Sequence, residues 1–160
     1  AQLDRFLMCI SLGYPEESEE LEIINRLSVD HPIESLKKVI EPEEICALQK
    51  KIKNVYVDDL IKQYILSIVE STRNQSDVIL GASPRASLSL YRATQALAFI
   101  SGRDHALPDD VKNLAQSVIA HRLLLTAQSR MSGLDGKQVI EKIVSSIPVP
   151  GAKAKGWLSS

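Results

Sequence analysis

The stretch Gly81-Ala82-Ser83-Pro84-Arg85-Ala86 decides where the main part of the fold begins. Its glycine and hydroxyl residue interrupt the chain, and its proline then opens a helix. Ser83 is a good N-cap residue, and Pro84 suits the first helical position, where no backbone N–H is needed. The stretch therefore predicts a helix that starts at Pro84 with Ser83 as its cap.

Arg85 falls in the first turn of this predicted helix. The helix dipole is positive there, so a cation is mildly unfavourable. Two interpretations follow from the stretch alone. The side chain bends into solvent, or it meets an anion, for which a phosphate is the best candidate because free N–H groups at a helix start favour one.

Apolar residues recur at helical spacing along most of the chain, and strands are few. Leu7–Leu12 is a short apolar run that ends at Gly13-Tyr14-Pro15, and it predicts one strand. We predict an all-α helical bundle with this single N-terminal strand. The predicted helices begin near Glu16, Pro42, Asp58, Pro84, Pro108 and Leu134.

Composition excludes several classes of protein. The 160 residues fit one domain, and a net charge of −1 gives no reason to expect nucleic acid as a partner. The chain has no apolar run of membrane-spanning length and no signal-peptide pattern, so we expect a cytoplasmic location without membrane insertion. Cys9 and Cys46 lie among apolar neighbours and are predicted to be buried, reduced thiols.

The usual catalytic motifs are missing. His31, His105 and His121 lack a ligand spacing, so no metal site is expected. Asp58-Asp59 and Asp109-Asp110 lie at helix starts, where capping explains them. The sequence contains no nucleophile elbow and no phosphate-binding loop, so it cannot hold a nucleoside triphosphate alone. The chain by itself is therefore not expected to be an enzyme.

Short segments spread along the chain form one combined pattern: Ala1–Phe6, Leu12–Pro15, Gly81–Ala86, Ala96–Ala98, Gly102–Asp104, Pro108–Val111, His121–Leu123 and Pro148–Pro150. Together these segments resemble the C-terminal part of MoxR-type AAA+ ATPases, over nearly the whole chain up to residue 150. Relatives usually have Ser or Thr caps where this chain has Glu41 and Leu107, and Leu107 cannot cap, which costs about 1 kcal/mol.

The resemblance implies a division of the chain and a role for four residues. Residues 1–15 would be the end of the AAA+ core, 16–150 the helical lid, and 151–160 a tail. Arg5 falls on the arginine-finger position, which is offered in trans to a neighbouring subunit's ATP. Arg85 falls on sensor 2, which reaches the γ-phosphate within its own subunit, and Tyr14 and Pro15 fall on a hinge between core and lid.

The resemblance also implies cofactors and partners. The full-length protein would use ATP and Mg²⁺, with the Walker A, Walker B and sensor 1 segments upstream, whereas the chain alone would bind no cofactor. It would form a homo-oligomeric ring, expected to be a hexamer, and couple ATP hydrolysis to remodelling or chaperone-like activation of a partner such as a von Willebrand factor A-type protein. The alternative is a stand-alone helical protein-interaction module without nucleotide chemistry.

Overall fold

The computed structural model describes residues 2–28 and 31–151, so the predicted tail, 151–160, lies outside the described residues except for Gly151. The part of the chain up to Cys9 together with the part from Lys51 onward forms one compact unit, called here the helical unit, and Ile10–Lys50 form a second. The helices are α1 Glu17–Leu27, α2 Pro42–Ile52, α3 Asp59–Ser71, α4 Pro84–Ile100, α5 Pro108–Ile119, α6 Ala127–Met131 and α7 Gly136–Ser146.

The prediction of a mostly helical fold is confirmed, but the predicted strand is not where we expected it. Leu7–Leu12 has no strand structure, and Cys9 N–H donates instead to the Ser117 carbonyl, at 2.8 Å. A strand needs a neighbour to pair with, and the described residues offer this run none. The short antiparallel sheet forms between β1, Val78–Leu80, and β2, Leu124–Leu125.

The second unit has no buried side chain among its described residues. Its apolar residues on α1 and on the part of α2 that it contains are exposed, including Leu21, Ile24 and Ile45. In both helices an acidic side chain of the first turn accepts a hydrogen bond from the backbone N–H of the residue directly before the helix. Glu44 thereby accepts from Glu41 N–H at 3.0 Å, so the missing Ser or Thr cap at Glu41 is partly replaced.

The helical unit has one apolar core. In it α4 packs against α3 and α5, and α5 packs against α7. Alanines on α4 allow its neighbours to approach closely. The helical core residues are Ile61, Tyr64, Ile65, Ile68 and Val69 of α3, Ala86, Leu90, Ala93 and Ala98 of α4, Val111, Ala115, Val118 and Ile119 of α5, and Val139, Ile140 and Ile143 of α7.

The prediction that both thiols are buried is wrong, because Cys9 and Cys46 are exposed. Cys9 lies in an N-terminal stretch without regular structure. Cys46 lies on α2, which buries no residue. In the described part of the chain, no helix combines the length and the apolar character that crossing a membrane requires.

Asp110, in the first turn of α5, accepts a hydrogen bond from the backbone directly before this helix. Leu107 makes no side-chain cap, as predicted, but its N–H donates to Asp110 Oδ2 at 2.8 Å. Arg103 donates to both oxygens of the same carboxylate, at 2.8 and 2.7 Å. Burial alone would raise the pKa of Asp110, but the Arg103 guanidinium and the Leu107 N–H outweigh it and hold that pKa below its ordinary value.

Asp110→Asn is expected to lower the free energy of unfolding by about 1 kcal/mol at neutral pH, a modest value because the Arg103 side chain is still 24% exposed. A lowered pKa in the folded state stabilises the protein above the ordinary Asp pKa, near 4, and this contribution disappears as the pH falls through the folded pKa. Urea unfolding at pH 7 and pH 3 tests this. The difference from the unsubstituted chain should shrink at pH 3, and the exposed Asp109→Asn is the control; an equal difference at both pH values contradicts the assignment.

Candidate functional site

Arg85 lies in the first turn of α4, as predicted, and its side chain is exposed. It makes no hydrogen bond or ion pair within residues 2–28 and 31–151. Ser83 occupies the N-cap position, but the prediction that its hydroxyl caps the helix is wrong. That hydroxyl donates to Asp4 instead, at 3.2 Å from Oδ1 and 3.1 Å from Oδ2.

Arg5 ends a short 3₁₀ turn, Leu3–Arg5, and is also exposed. Its side chain has no hydrogen-bond or ion-pair partner in the described part of the chain. The residue before it, Asp4, turns inward and accepts the Ser83 bond. The segments that carry the two predicted site arginines are therefore bonded to each other, although they are 79 positions apart in sequence.

A buried arginine holds the Arg5 segment in place. Arg122 ends the 3₁₀ turn Ala120–Arg122 after α5, and its side chain is 1% exposed. Its Nη1 donates to Asp4 Oδ1 at 2.9 Å and to the Asp4 carbonyl at 3.0 Å. Its other donors bond to the carbonyls of Phe6, Leu7 and Val118 and to Ser89 Oγ.

A cleft of about 770 Å³ opens beside these contacts in the helical unit. Its walls include Asp4, Ser83 and Arg122, and an apolar side from β1 and β2. His121 also lines the cleft, and both of its ring nitrogens are buried without a hydrogen-bond partner among the described residues. The two site arginines directly follow residues of this lining, Asp4 and Pro84.

The loop before α4 is seated on the end of α3. Thr72 Oγ1 accepts from Ala82 N–H at 2.9 Å, and Arg73 Nε donates to the Ala82 carbonyl at 3.0 Å. Gly81 lies so close to this turn that a Cβ there would be 2.8 Å from Arg73 Cα. Gly81, which the sequence analysis interpreted as a break in the chain, is therefore needed because the loop before α4 lies very close to the Arg73 backbone.

Gly81→Ala is expected to lower the free energy of unfolding by about 1–3 kcal/mol, because backbone atoms of Arg73 must move to admit the methyl group. Chemical denaturation of the 160-residue chain measures this loss. Ser87→Ala, on the same helix start and without a side-chain hydrogen bond in the described ranges, is the control. Equal stability of Gly81→Ala and the unsubstituted chain would show that the loop is not fixed as described.

Tyr14 and Pro15 belong to the second unit, in a stretch without regular structure, and Tyr14 is fully exposed. His31 Nδ1 accepts from Ile33 N–H, and His105 Nδ1 lies 2.8 Å from Asp104 Oδ1. Among the residues that the structure describes, no group of three or more His, Cys, Asp or Glu side chains could hold a metal ion.

Sequence reasoning did not include Asp4 or Arg122 among the site residues. One signal was present for Arg122: it lies in the otherwise apolar run from Ile119 to Leu125, apart from His121. A charge in such a run is buried only when a partner satisfies it. The identity of that partner could not be read from the sequence, because Asp4 is 118 positions away.

Comparison with known protein families identifies a domain within the helical unit. Residues 70–143, which contain the short sheet, α4, α5 and most of α7, match the family described as the AAA lid domain. The helical unit therefore contains an AAA lid domain, and the Gly81–Ala86 loop is part of it.

Individual proteins similar to this chain give a narrower comparison. The chain is 41% identical to the uncharacterized protein YeaC of Bacillus subtilis, over 94% of the chain and 47% of that protein. It is 34% identical to the chaperone MoxR1 of Mycobacterium tuberculosis, over 96% of the chain and 43% of that protein. Over nearly its whole length the chain is thus similar to proteins of the MoxR family, and it spans about half the length of the curated relatives it matches.

A solved structure supports the same fold. The crystal structure of a candidate ATPase from Cytophaga hutchinsonii matches 92% of this chain with a TM-score of 0.82. The two sequences are 29% identical, and the match covers 48% of that protein. The fold of this chain is thus similar to that of about half of a larger solved chain.

Proposed function

We propose that this chain is the lid and arginine-finger part of a MoxR-type AAA+ ATPase that couples ATP binding and hydrolysis to remodelling or chaperone-like activation of partner proteins. One observation carries the proposal. Arg5 and Arg85 are exposed without a described partner, on two segments that Asp4 and Ser83 join. A solvated guanidinium held on an ordered segment is well suited to meet phosphate oxygens.

The two arginines have separate roles in this proposal. Arg5 reaches the ATP of a neighbouring subunit, and Arg85 reaches the γ-phosphate of its own. Bound ATP with Mg²⁺ supplies the phosphoryl group and its metal ion, and the Walker residues that hold them belong to an upstream core. The part played by this chain is to neutralise charge that develops on the phosphoryl oxygens.

The organisation of the whole protein is part of the same proposal. Residues 1–15 end the ATPase core, 16–150 form the lid, and Tyr14 and Pro15 are the hinge between them. The ring, a hexamer, acts in the cytoplasm on a von Willebrand factor A-type partner. Support comes from relatives about twice as long as this chain, one of which is named a chaperone.

A second candidate function is a stand-alone helical interaction module. The observation that favours it is the exposed apolar surface of the second unit, with Leu21, Ile24, Ile45 and Leu48 each more than a third exposed. Such a surface is typical of a binding face. A module of this kind would bind its partner equally well with and without nucleotide.

The 160-residue chain alone is expected neither to hydrolyse ATP nor to bind it tightly, because the two arginines provide only part of a phosphoryl-transfer site. Isothermal titration calorimetry with Mg·ATP measures this directly, and the full-length protein is the positive control. Micromolar affinity of the chain alone would contradict the assignment of the phosphate-binding loop to a separate core.

A further inference from the structure

We propose that Arg122 is a positioning residue for the arginine finger. It fixes the backbone on both sides of Arg5, so that the Arg5 side chain projects from a rigid turn toward the neighbouring subunit. This inference rests on the proposed function of Arg5, and it adds a residue that does not itself touch nucleotide.

Arg122 is hydrogen-bonded to the residues that come directly before and directly after Arg5 in the sequence. The Asp4 carbonyl, directly before Arg5, accepts from Arg122 Nη1 at 3.0 Å. The Phe6 carbonyl, directly after it, accepts from Nη2 at 2.5 Å, and the Leu7 carbonyl accepts from the same nitrogen at 3.3 Å. One side chain therefore holds three backbone groups around Arg5 and leaves the Arg5 side chain unbonded.

Arg122 is also hydrogen-bonded to the packed helices of the helical unit. Arg122 Nε donates to the Val118 carbonyl at 2.8 Å, and Nη2 also contacts Ser89 Oγ at 3.2 Å. These partners lie on α5 and α4, in the packed core of the helical unit. The turn Leu3–Arg5 with the following Phe6 and Leu7, called here the finger turn, is thus connected to α4 and α5 through Arg122, and a displacement of those helices would be transmitted to it.

The geometry requires an arginine at position 122. A guanidinium has five N–H donors in a fixed plane, which can serve carbonyls in several directions at once. A lysine would retain the charge opposite Asp4, but its three donors radiate from one atom on a flexible stem. Arg122→Lys therefore weakens the hydrogen bonds to the backbone carbonyls around Arg5, while it keeps the ion pair with Asp4.

Ser83 provides a second, weaker hold on the same turn. Its hydroxyl donates to the Asp4 carboxylate that Arg122 also contacts. Ser83→Ala removes this bond and leaves every Arg122 bond in place. It is therefore a mild variant that tests the same connection if Arg122→Lys destabilises the fold.

The chain offers a matched control in Arg103. Arg103 is likewise ion-paired with an aspartate of the helical unit, Asp110, here through two contacts and with a buried carboxylate. Its described bonds go to His105 and Asp110, and none goes to residues 2–9. Arg103→Lys thus weakens an Arg–Asp ion pair of the helical unit that has no bond to the finger turn.

The test uses the full-length protein and measures kcat, the Kd for ATP, and complementation in mixed rings. Arg122→Lys is expected to lower kcat by about 10²-fold, the effect of misplacing a catalytic group by about 1 Å, with an unchanged Kd. Ser83→Ala should show a smaller loss, and Arg103→Lys should leave kcat unchanged. The double variant Arg5→Ala/Arg122→Lys should be no slower than Arg5→Ala alone.

Mixed rings separate positioning from a structural role. Subunits that lack the Walker lysine contribute an intact finger, so their addition should restore turnover to Arg122→Lys subunits, as it should to Arg5→Ala subunits. Failure of this rescue in rings that do assemble overturns the positioning role. If Arg5→Ala is inactive and both Arg122→Lys and Ser83→Ala are fully active, this inference alone is wrong; a fully active Arg5→Ala contradicts the proposed function itself.

Discussion

Arg5→Ala in the full-length protein is expected to lower ATP turnover by about 10³–10⁵-fold, the range for removal of an arginine finger. The reason is that the transition state of phosphoryl transfer spreads charge over oxygens that a guanidinium can neutralise. Binding of ATP should be nearly unchanged, because Arg5 belongs to a different subunit from the bound nucleotide. Steady-state hydrolysis and a fluorescent-nucleotide titration measure the two effects separately.

Arg92→Ala is the control for Arg5→Ala. Arg92 is an exposed arginine on α4 whose side chain makes no hydrogen bond or ion pair within the described ranges, so its loss removes a charge without a proposed role. If Arg92→Ala and Arg5→Ala reduce kcat equally, the effect reflects net charge and the finger assignment is wrong. A large rise in the Kd for ATP on Arg5→Ala would also contradict the assignment.

Arg85→Ala is expected to separate stability from activity. Arg85 has no described partner and lies at the positive end of the α4 dipole. Removing it should leave the unfolding free energy of the 160-residue chain unchanged or raise it by about 0.3–1 kcal/mol. In the full-length protein the same change should lower hydrolysis by about 10²–10³-fold, as for loss of one preorganised donor at a transition state.

A denaturation curve and a turnover assay on the same variant test this pair of effects. A loss of more than about 2 kcal/mol, which exceeds what an exposed ion pair contributes, would show that Arg85 stabilises the bundle. Unchanged turnover with unchanged stability would mean that the side chain merely extends into solvent. Arg92→Ala again serves as the control, because it lies on the exposed side of the same helix.

Helix starts could be predicted from the sequence because their signals are local. Pro42, Pro84 and Pro108 each open a helix at the predicted residue. Proline fixes the backbone angle of the first turn regardless of what the rest of the chain does. The strand predicted at Leu7–Leu12 failed because a strand depends on a distant partner, and β1 pairs with β2 instead.

The site shows the same division between local and distant information. Arg85 could be singled out because a cation in a first turn conflicts with the helix dipole, and Arg5 because of a family motif. The hydroxyl of Ser83 was predicted to cap its own helix, but Asp4, far away in sequence, accepts from it. Arg122 was missed as a site residue for this reason, since most of its partners lie more than 30 positions away.

Complementation between two inactive full-length variants tests the central claim most directly. Arg5→Ala subunits keep a nucleotide site and lack the finger, whereas subunits without the Walker lysine keep the finger and lack the site. Each variant alone should show almost no ATP hydrolysis, and a mixture that co-assembles into rings should recover turnover, because an intact finger then faces an intact site. Co-assembled rings that remain inactive would contradict the claim that Arg5 of this chain completes the ATP site of its neighbour.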